Sequence, residues 1–301
     1  MSFLMPETRE ELVAALKEKN GAWLCAGGTD LMIRLREKKQ FHYSLIDLTH
    51  MEEMAAIEET DDAVIIGAAV TMDELERSEA VRRYLPALAK AASMVGSTQI
   101  RNRATIGGNV ANASQSSDLT PVVLAYESRA QICNGTGEVR SCAVDEFVKG
   151  LGKTALGETD VILSFEFKKS DAVSGFAKVG SRKAVAISKV NVCIRTDVEN
   201  GIMRNVSVLL GAVGPKARRS PFVEKVLEGM ELKQIDGDLL KEAVYAQIEE
   251  NIPDRSSKHY KKPASLGIIC DALKDIREQE KLREELRRKS REMKPEGGIP
   301  R

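Results

Sequence analysis

The sequence predicts an α+β protein built from two units, and three observations carry that reading. In the first half, short apolar runs are followed by glycine turns and amphipathic stretches, the pattern of strand, turn and helix. Further on, Lys189 to Val198 and Ile202 to Leu210 alternate apolar and polar residues and meet at Glu199-Asn200-Gly201, the pattern of a β-hairpin. Three helical stretches follow the hairpin, so the second unit reads as a small sheet with a helical bundle. A length of 301 residues allows two or three compact units.

Taken in order, Glu7 to Lys17 reads as a short amphipathic helix, because Leu12, Ala15 and Leu16 recur near helical spacing among charged neighbours. Trp23-Leu24-Cys25-Ala26 is an apolar run that Gly27-Gly28-Thr29 breaks, and Asp30 to Lys38 then places Leu31 and Leu35 on one helical face. Ser44 to Leu48 and Val64 to Val70 read as strands. Thr71-Met72-Asp73-Glu74 matches a capping box, and the helical pattern after it, broken by Pro86, runs to Met94. Gln99 to Asn109 is a polar approach that ends in Gly107-Gly108. Thr120 is placed to cap a helix whose first residue is Pro121, a position where the missing N–H is harmless. Strands are expected around Ala130 to Cys133 and Val161 to Phe167.

A polar linker, Lys168-Lys169-Ser170-Asp171, separates this first unit from the hairpin. The helices beyond it are expected at Pro221 to Met230, Gly237 to Asn251 and Pro263 to Glu292. From Lys274 to Glu292 fourteen of nineteen residues are charged, and only Ile276, Leu282 and Leu286 are apolar. That is too little to bury a face, so a solvated helix is expected there, with a docking arm for a partner subunit as the alternative. Met293 to Arg301 is expected to fray. The resulting division is 1–170 (subdomains about 1–56 and 57–170), 171–275, and a charged tail at 276–301.

Composition excludes several functions. The 45 basic and 45 acidic residues cancel, which removes the basic footprint of a nucleic-acid binder. No apolar run approaches the ~18 residues of a membrane span, and Met1 to Glu10 lacks the pattern of a signal peptide, so a cytoplasmic location and no membrane partner are expected. The five cysteines are scattered and contain no C-x-x-C pair, so neither a disulfide framework nor an iron–sulfur cluster is expected in this chain. His42, His50 and His259 show no metal-ligand spacing, and no metal site is expected.

The two glycine pairs carry the chemistry. A turn that leaves a strand and opens a helix presents free backbone N–H groups at the positive end of the helix dipole, which favours a phosphate. Glycine lets the backbone approach the anion closely and tolerates positive φ. Ala26 to Leu31 has this arrangement, with the Thr29 hydroxyl as a further donor. Thr105-Ile106-Gly107-Gly108-Asn109 offers the same chemistry, and two such loops can flank one diphosphate. Rival motifs fail on inspection. Gly152-Lys153-Thr154 lacks the P-loop glycine, because Phe147 stands in its place, and no Rossmann G-x-G-x-x-G or G-x-S-x-G elbow is present.

At this point the residues resemble a known family, the FAD-binding medium subunits of molybdenum hydroxylases, the group of xanthine dehydrogenase, carbon monoxide dehydrogenase and nicotinate dehydrogenase. The motifs that carry the resemblance are Ala26 to Leu31, Gln99 to Asn102 leading to Thr105 to Asn109, and Ser117-Asp118-Leu119-Thr120-Pro121. Phe176-Ala177-Lys178, Arg182-Lys183 with Ala186-Ile187-Ser188, Gly211 to Pro215 and His259 to Lys262 extend it to about residue 275. The resemblance implies a two-subdomain FAD domain of the PCMH type, then a three-stranded sheet with three helices. It also implies FAD bound without a covalent bond. Cys25, Ala26, Gly27, Gly28, Thr29, Asp30 and Leu31 would form the first diphosphate loop, and Thr105, Gly108 and Asn109 the second. Asp118 would lie near the sugar portion, while Ile162 and Lys178 would approach the flavin, where a cation stabilises the reduced anionic ring. No residue of the chain is expected to be catalytic.

The function implied is an electron-transfer subunit of an oxidoreductase. Substrate is hydroxylated on a molybdenum-cofactor large subunit, electrons pass through [2Fe–2S] clusters on a small subunit, and FAD hands them to NAD+ or another acceptor. A stand-alone flavin oxidase or reductase, and a non-catalytic FAD-binding assembly protein, are the alternatives. The charged stretch after Ala272 is longer than the family pattern implies.

Overall fold

The computed structural model describes residues 2–18, 21–39 and 42–292. The chain opens with β1 (Ser2–Leu4), α1 (Arg9–Glu18), β2 (Trp23–Cys25), α2 (Leu31–Glu37), β3 (Ser44–Asp47) and α3 (Glu52–Ala55). The strands form a parallel sheet of order β1-β3-β2. Leu12, Ala15 and Leu16 of α1 are buried, as their spacing requires. The turn after β2 therefore leaves the carboxyl end of a parallel strand, the end at which open α/β sheets present their crevice.

The second segment contains β4 (Ile57–Glu59), β5 (Ala63–Gly67), α4 (Met72–Arg77), α5 (Glu79–Tyr84), α6 (Pro86–Ser93), α7 (Thr98–Arg101), α8 (Ile106–Ala111) and α9 (Thr120–Ala125). It continues through β6 (Arg129–Cys133), β7 (Val139–Ala143), α10 (Val144–Phe147), β8 (Val148–Gly150), β9 (Lys153–Thr154) and β10 (Val161–Lys168). Five of these strands make an antiparallel sheet of order β4-β5-β10-β6-β7. The strand expected to reach Val70 ends at Gly67, because Val70 N–H turns back to the Gly67 carbonyl at 3.1 Å. The capping box is present, with Thr71 N–H donating to Glu74 Oε2 at 2.7 Å and Glu74 N–H to Thr71 Oγ1 at 3.3 Å. The helical pattern breaks at Ser78 as well as at Pro86, since Ser78 accepts from Val81 N–H and starts α5. Thr120 is not the cap of α9. It is the first helical residue, and Ser117 Oγ accepts both its N–H (3.0 Å) and its hydroxyl (2.7 Å).

The third segment holds β11 (Val173–Val179), β12 (Val190–Glu199), β13 (Ile202–Gly211) and β14 (Arg218–Arg219), antiparallel in that order. The three expected strands are thus joined by a two-residue fourth at the edge. The helices are α11 (Pro221–Leu227), α12 (Gly237–Asn251) and α13 (Lys258–Glu292). Pro263 lies inside α13 rather than at its start, because the turn ahead of it is already closed by Lys261 N–H to Ser257 O at 2.9 Å.

The solvated outer half expected from Lys274 onward is shorter than the charge count suggests. Ile276 is fully buried, Glu280 is 8% exposed, and Leu282 and Leu286 are 58% and 56% exposed. Polar side chains do the docking. Asp275 Oδ2 accepts from Phe176 N–H at 3.2 Å, and Gln279 bonds both the N–H and the C=O of Ser174, at 3.2 and 2.6 Å. Arg283 Nη1 reaches Asp171 O at 2.6 Å. β11 is an edge strand, and α13 covers its open backbone groups as such edges require. The fraying expected of Met293 to Arg301 lies outside the described residues.

Candidate functional site

The first glycine loop is held at its base by Cys25, which pairs with Asp47 and whose carbonyl accepts Leu48 N–H at 2.8 Å. The loop then runs against the backbone of Arg103. A Cβ on Gly27 would lie 1.9 Å from Arg103 O, so only glycine fits. Gly28 has φ +71°, the left-handed region that an L side chain resists. Helix α2 starts as Met32 N–H bonds Gly28 O and Arg34 N–H bonds Asp30 O, each at 3.1 Å. Among the described residues, the N–H groups of Gly27, Gly28 and Thr29 have no acceptor. Three successive unpaired donors on a partly exposed turn can donate to an anion.

The second loop differs from the expectation that it offers the same chemistry. Ile106 N–H donates to Val70 O at 3.0 Å and Gly107 N–H to Ala68 O at 2.9 Å, which pins α8 to the chain leaving β5. A Cβ on Gly107 would meet Ala68 at 2.7 Å, so this glycine serves close packing. Thr105 Oγ1 accepts Gly108 N–H at 3.1 Å, and Thr105 O accepts Asn109 N–H at 2.9 Å. The backbone donors of this loop are therefore used internally, and its side chains and the bare Gly108 Cα remain to face a ligand. Asn109 Oδ1 accepts from Ser117 Oγ at 2.6 Å, which leaves its amide NH2 without an acceptor among the described residues.

Both loops line one cleft of about 300 Å³. Cys25, Ala26, Gly27, Gly28, Thr29, Asp30, Leu31, Thr105, Gly108 and Asn109 all border it, with Trp23, Leu24, Val95 and Ile100 as apolar wall. Burial, with Asp47 close by, pushes the Cys25 thiol above its ordinary range, so it stays protonated near neutrality. Two residues that the sequence reading did not single out also border the cleft, Arg34 and Asn112. Arg34 Nη2 donates to Asn112 Oδ1, and Asn112 Nδ2 donates to Asp30 Oδ2 at 3.3 Å. The available signal was spacing: Arg34 follows Asp30 by one helical turn and shares its face.

The other three expected residues lie elsewhere. Asp118 and Lys178 form an ion pair, each side chain 8% exposed. Asp118 Oδ1 also accepts from Ser188 Oγ at 2.5 Å and Asn191 Nδ2 at 2.9 Å, and Lys178 Nζ also donates to Met94 O at 2.9 Å. Lys178 borders a second cleft, of about 400 Å³, together with Met94, Ser97, Gln99, Arg101 and Arg182. The segment 94–101 contributes to both clefts. Ile162 sits on β10 opposite Ile132, 5% exposed, as part of the core. Among the described residues no group of three or more His, Cys, Asp or Glu side chains could hold a metal, and no helix is long and apolar enough to cross a membrane.

Comparison with known proteins finds matches over both regions of the chain. Residues 1–167 match the family described as FAD binding domain in molybdopterin dehydrogenase, and residues 176–276 match the CO dehydrogenase flavoprotein C-terminal domain. The xanthine dehydrogenase FAD-binding subunit of Escherichia coli O157:H7 is 28% identical over 264 residues, covering 86% of this chain and 90% of the relative. The nicotinate dehydrogenase FAD-subunit of Eubacterium barkeri is 28% identical over 289 residues, covering 92% of this chain and 96% of the relative. In structure, the chain is similar to a chain of the carbon monoxide dehydrogenase from Hydrogenophaga pseudoflava, with a TM-score of 0.81, 25% identity, and coverage of 92% and 96%.

Proposed function

We propose a function that proceeds from one premise: this chain belongs to the FAD-binding family of the molybdopterin dehydrogenases. It holds FAD without a covalent bond, as the flavin subunit of a molybdenum-containing hydroxylase or dehydrogenase. The observation that carries the reading is the row of unpaired N–H groups at Gly27, Gly28 and Thr29, facing a cleft that the second loop completes. Such donors fit a diphosphate, since hydrogen bonds to charged groups contribute roughly 1.5–3 kcal/mol each. A protonated Cys25 fits non-covalent binding, because the thiolate is the reactive form.

In this reading the backbone of Ala26 to Leu31 binds the diphosphate from one side, while Thr105, Gly108 and Asn109 close the other. Ser117 orients the Asn109 amide by donating to its oxygen. The second cleft takes the flavin end, which Ile162 and Lys178 approach. Asp118 holds Lys178 in place, and Lys178 supplies positive charge near the ring. FAD itself supplies the ability to accept electrons and pass them on. The chain provides one link in a path, taking electrons from the [2Fe–2S] clusters of an iron–sulfur small subunit and delivering them to NAD+ or another acceptor in the cytoplasm. Substrate chemistry stays on a molybdenum-cofactor large subunit. The family's multi-subunit members support this division of labour.

Purification of the complex from its native cell, followed by iron and molybdenum analysis, tests the reading. Iron, molybdenum and flavin are expected to co-elute with this chain. A chain that elutes alone and turns over a substrate alone would contradict it.

A further inference from the structure

Among the described residues, Arg34 is the only cationic side chain lining the cleft formed by the two glycine loops. Its place is set by local sequence. Helix α2 begins at Leu31, so Arg34 lies one turn inside and projects on the same face as Asp30. Asp30 does not cap the helix with its side chain. It accepts instead from Asn112 Nδ2, at 3.3 Å, which turns the Asn112 oxygen toward Arg34. The guanidinium, although exposed, is thereby held at the cleft by a residue 78 positions away.

We propose that Arg34 is a cofactor-positioning residue that exchanges its neutral Asn112 acceptor for a phosphate oxygen of the diphosphate when FAD binds. The proposal rests on the FAD reading of this cleft. A phosphate is the stronger acceptor, because it is charged and can take two parallel N–H bonds from the guanidinium, where the Asn112 amide oxygen is neutral. The planar fork of arginine matches phosphate geometry, and because the fork is pre-organised less entropy is lost per hydrogen bond formed. Exchange also relieves the nearby Asp30 carboxylate, whose charge would otherwise face the incoming dianion alone.

The test uses the full chain, freed of flavin and titrated with FAD and, separately, with ADP as a competitor, at low and high salt. Arg34→Gln is expected to weaken both FAD and ADP by about ten-fold or more and to flatten the salt dependence. Arg34→Lys, which keeps the charge, is expected to recover the salt dependence and part of the affinity. Wild-type affinity and salt dependence in Arg34→Gln would overturn the proposal while leaving the FAD reading intact, as would Arg34→Lys behaving like Arg34→Gln in salt. Failure of the wild-type chain to bind FAD would sink the FAD reading first, and this proposal with it.

Discussion

Lys178 on β11 and Asp118 in the turn before α9 form a buried ion pair that ties the two family-matched regions together, each side chain 8% exposed. The pair is well satisfied. Asp118 also accepts from Ser188 and Asn191, and Lys178 also donates to Met94 O. Such a pair gains little over an apolar substitute, but removal of one partner strands the other charge in a low dielectric. Lys178→Met is therefore expected to lower the unfolding free energy by about 3–5 kcal/mol, read from guanidinium denaturation. The double variant Lys178→Met with Asp118→Leu should cost less than the sum of the singles. Additive losses would show that the two side chains do not act as a pair.

Gly27 gives the sharpest steric test. Its Cβ position lies 1.9 Å from Arg103 O, a backbone atom that cannot rotate away. Gly27→Ala is expected to push the first loop off residues 103–104 and to lose retained FAD after gel filtration. Gly201→Ala serves as the control, since Gly201 has φ +82° in the hairpin turn but nothing within 4 Å of its added Cβ. Loss of flavin in both variants would point to general destabilisation rather than to the loop.

How much of this site could be read from sequence depends on which atoms carry it. The strand, glycine turn and helix at Trp23 to Lys38 were legible because local spacing determines them. The equivalence of the two loops was not. The donors of the second are consumed by Val70 O, Ala68 O and Thr105, contacts that depend on tertiary packing. Arg34 and Asn112 were missed for the same reason, since nothing local says that they meet. The docking of α13 was hidden by its composition. Asp275, Gln279 and Arg283 count as solvated by hydropathy, yet the first two bond the open edge of β11 and Arg283 bonds Asp171 O just before it.

That edge contact yields a stability test of its own. Gln279→Ala removes two hydrogen bonds to the Ser174 backbone and leaves buried groups unpaired, a cost of about 1–3 kcal/mol. Thermal unfolding should register the loss, and amide exchange along β11 should quicken. An unchanged exchange rate at Ser174 would mean that the strand edge is held by other contacts.

Cys25 provides a pH test. Burial raises its thiol pKa in the folded state, so its contribution to stability is present below the unfolded thiol value and is lost as pH rises through the folded one. Between those limits the folded chain should resist iodoacetamide at this position while the urea-unfolded chain reacts, with modified peptides identified by mass spectrometry. Added FAD should slow the reaction further, because Cys25 borders the cleft. Equal alkylation of the folded and unfolded chain would contradict a protonated thiol.

The central claim is that the two glycine loops hold FAD without a covalent bond. It is tested most directly by incubating the purified chain with FAD, desalting, and measuring flavin absorbance before and after acid precipitation. About one FAD per chain is expected to remain after desalting, and all of it should move to the supernatant with the acid. A chain that retains no flavin, or one whose flavin stays with the precipitate, would contradict the account.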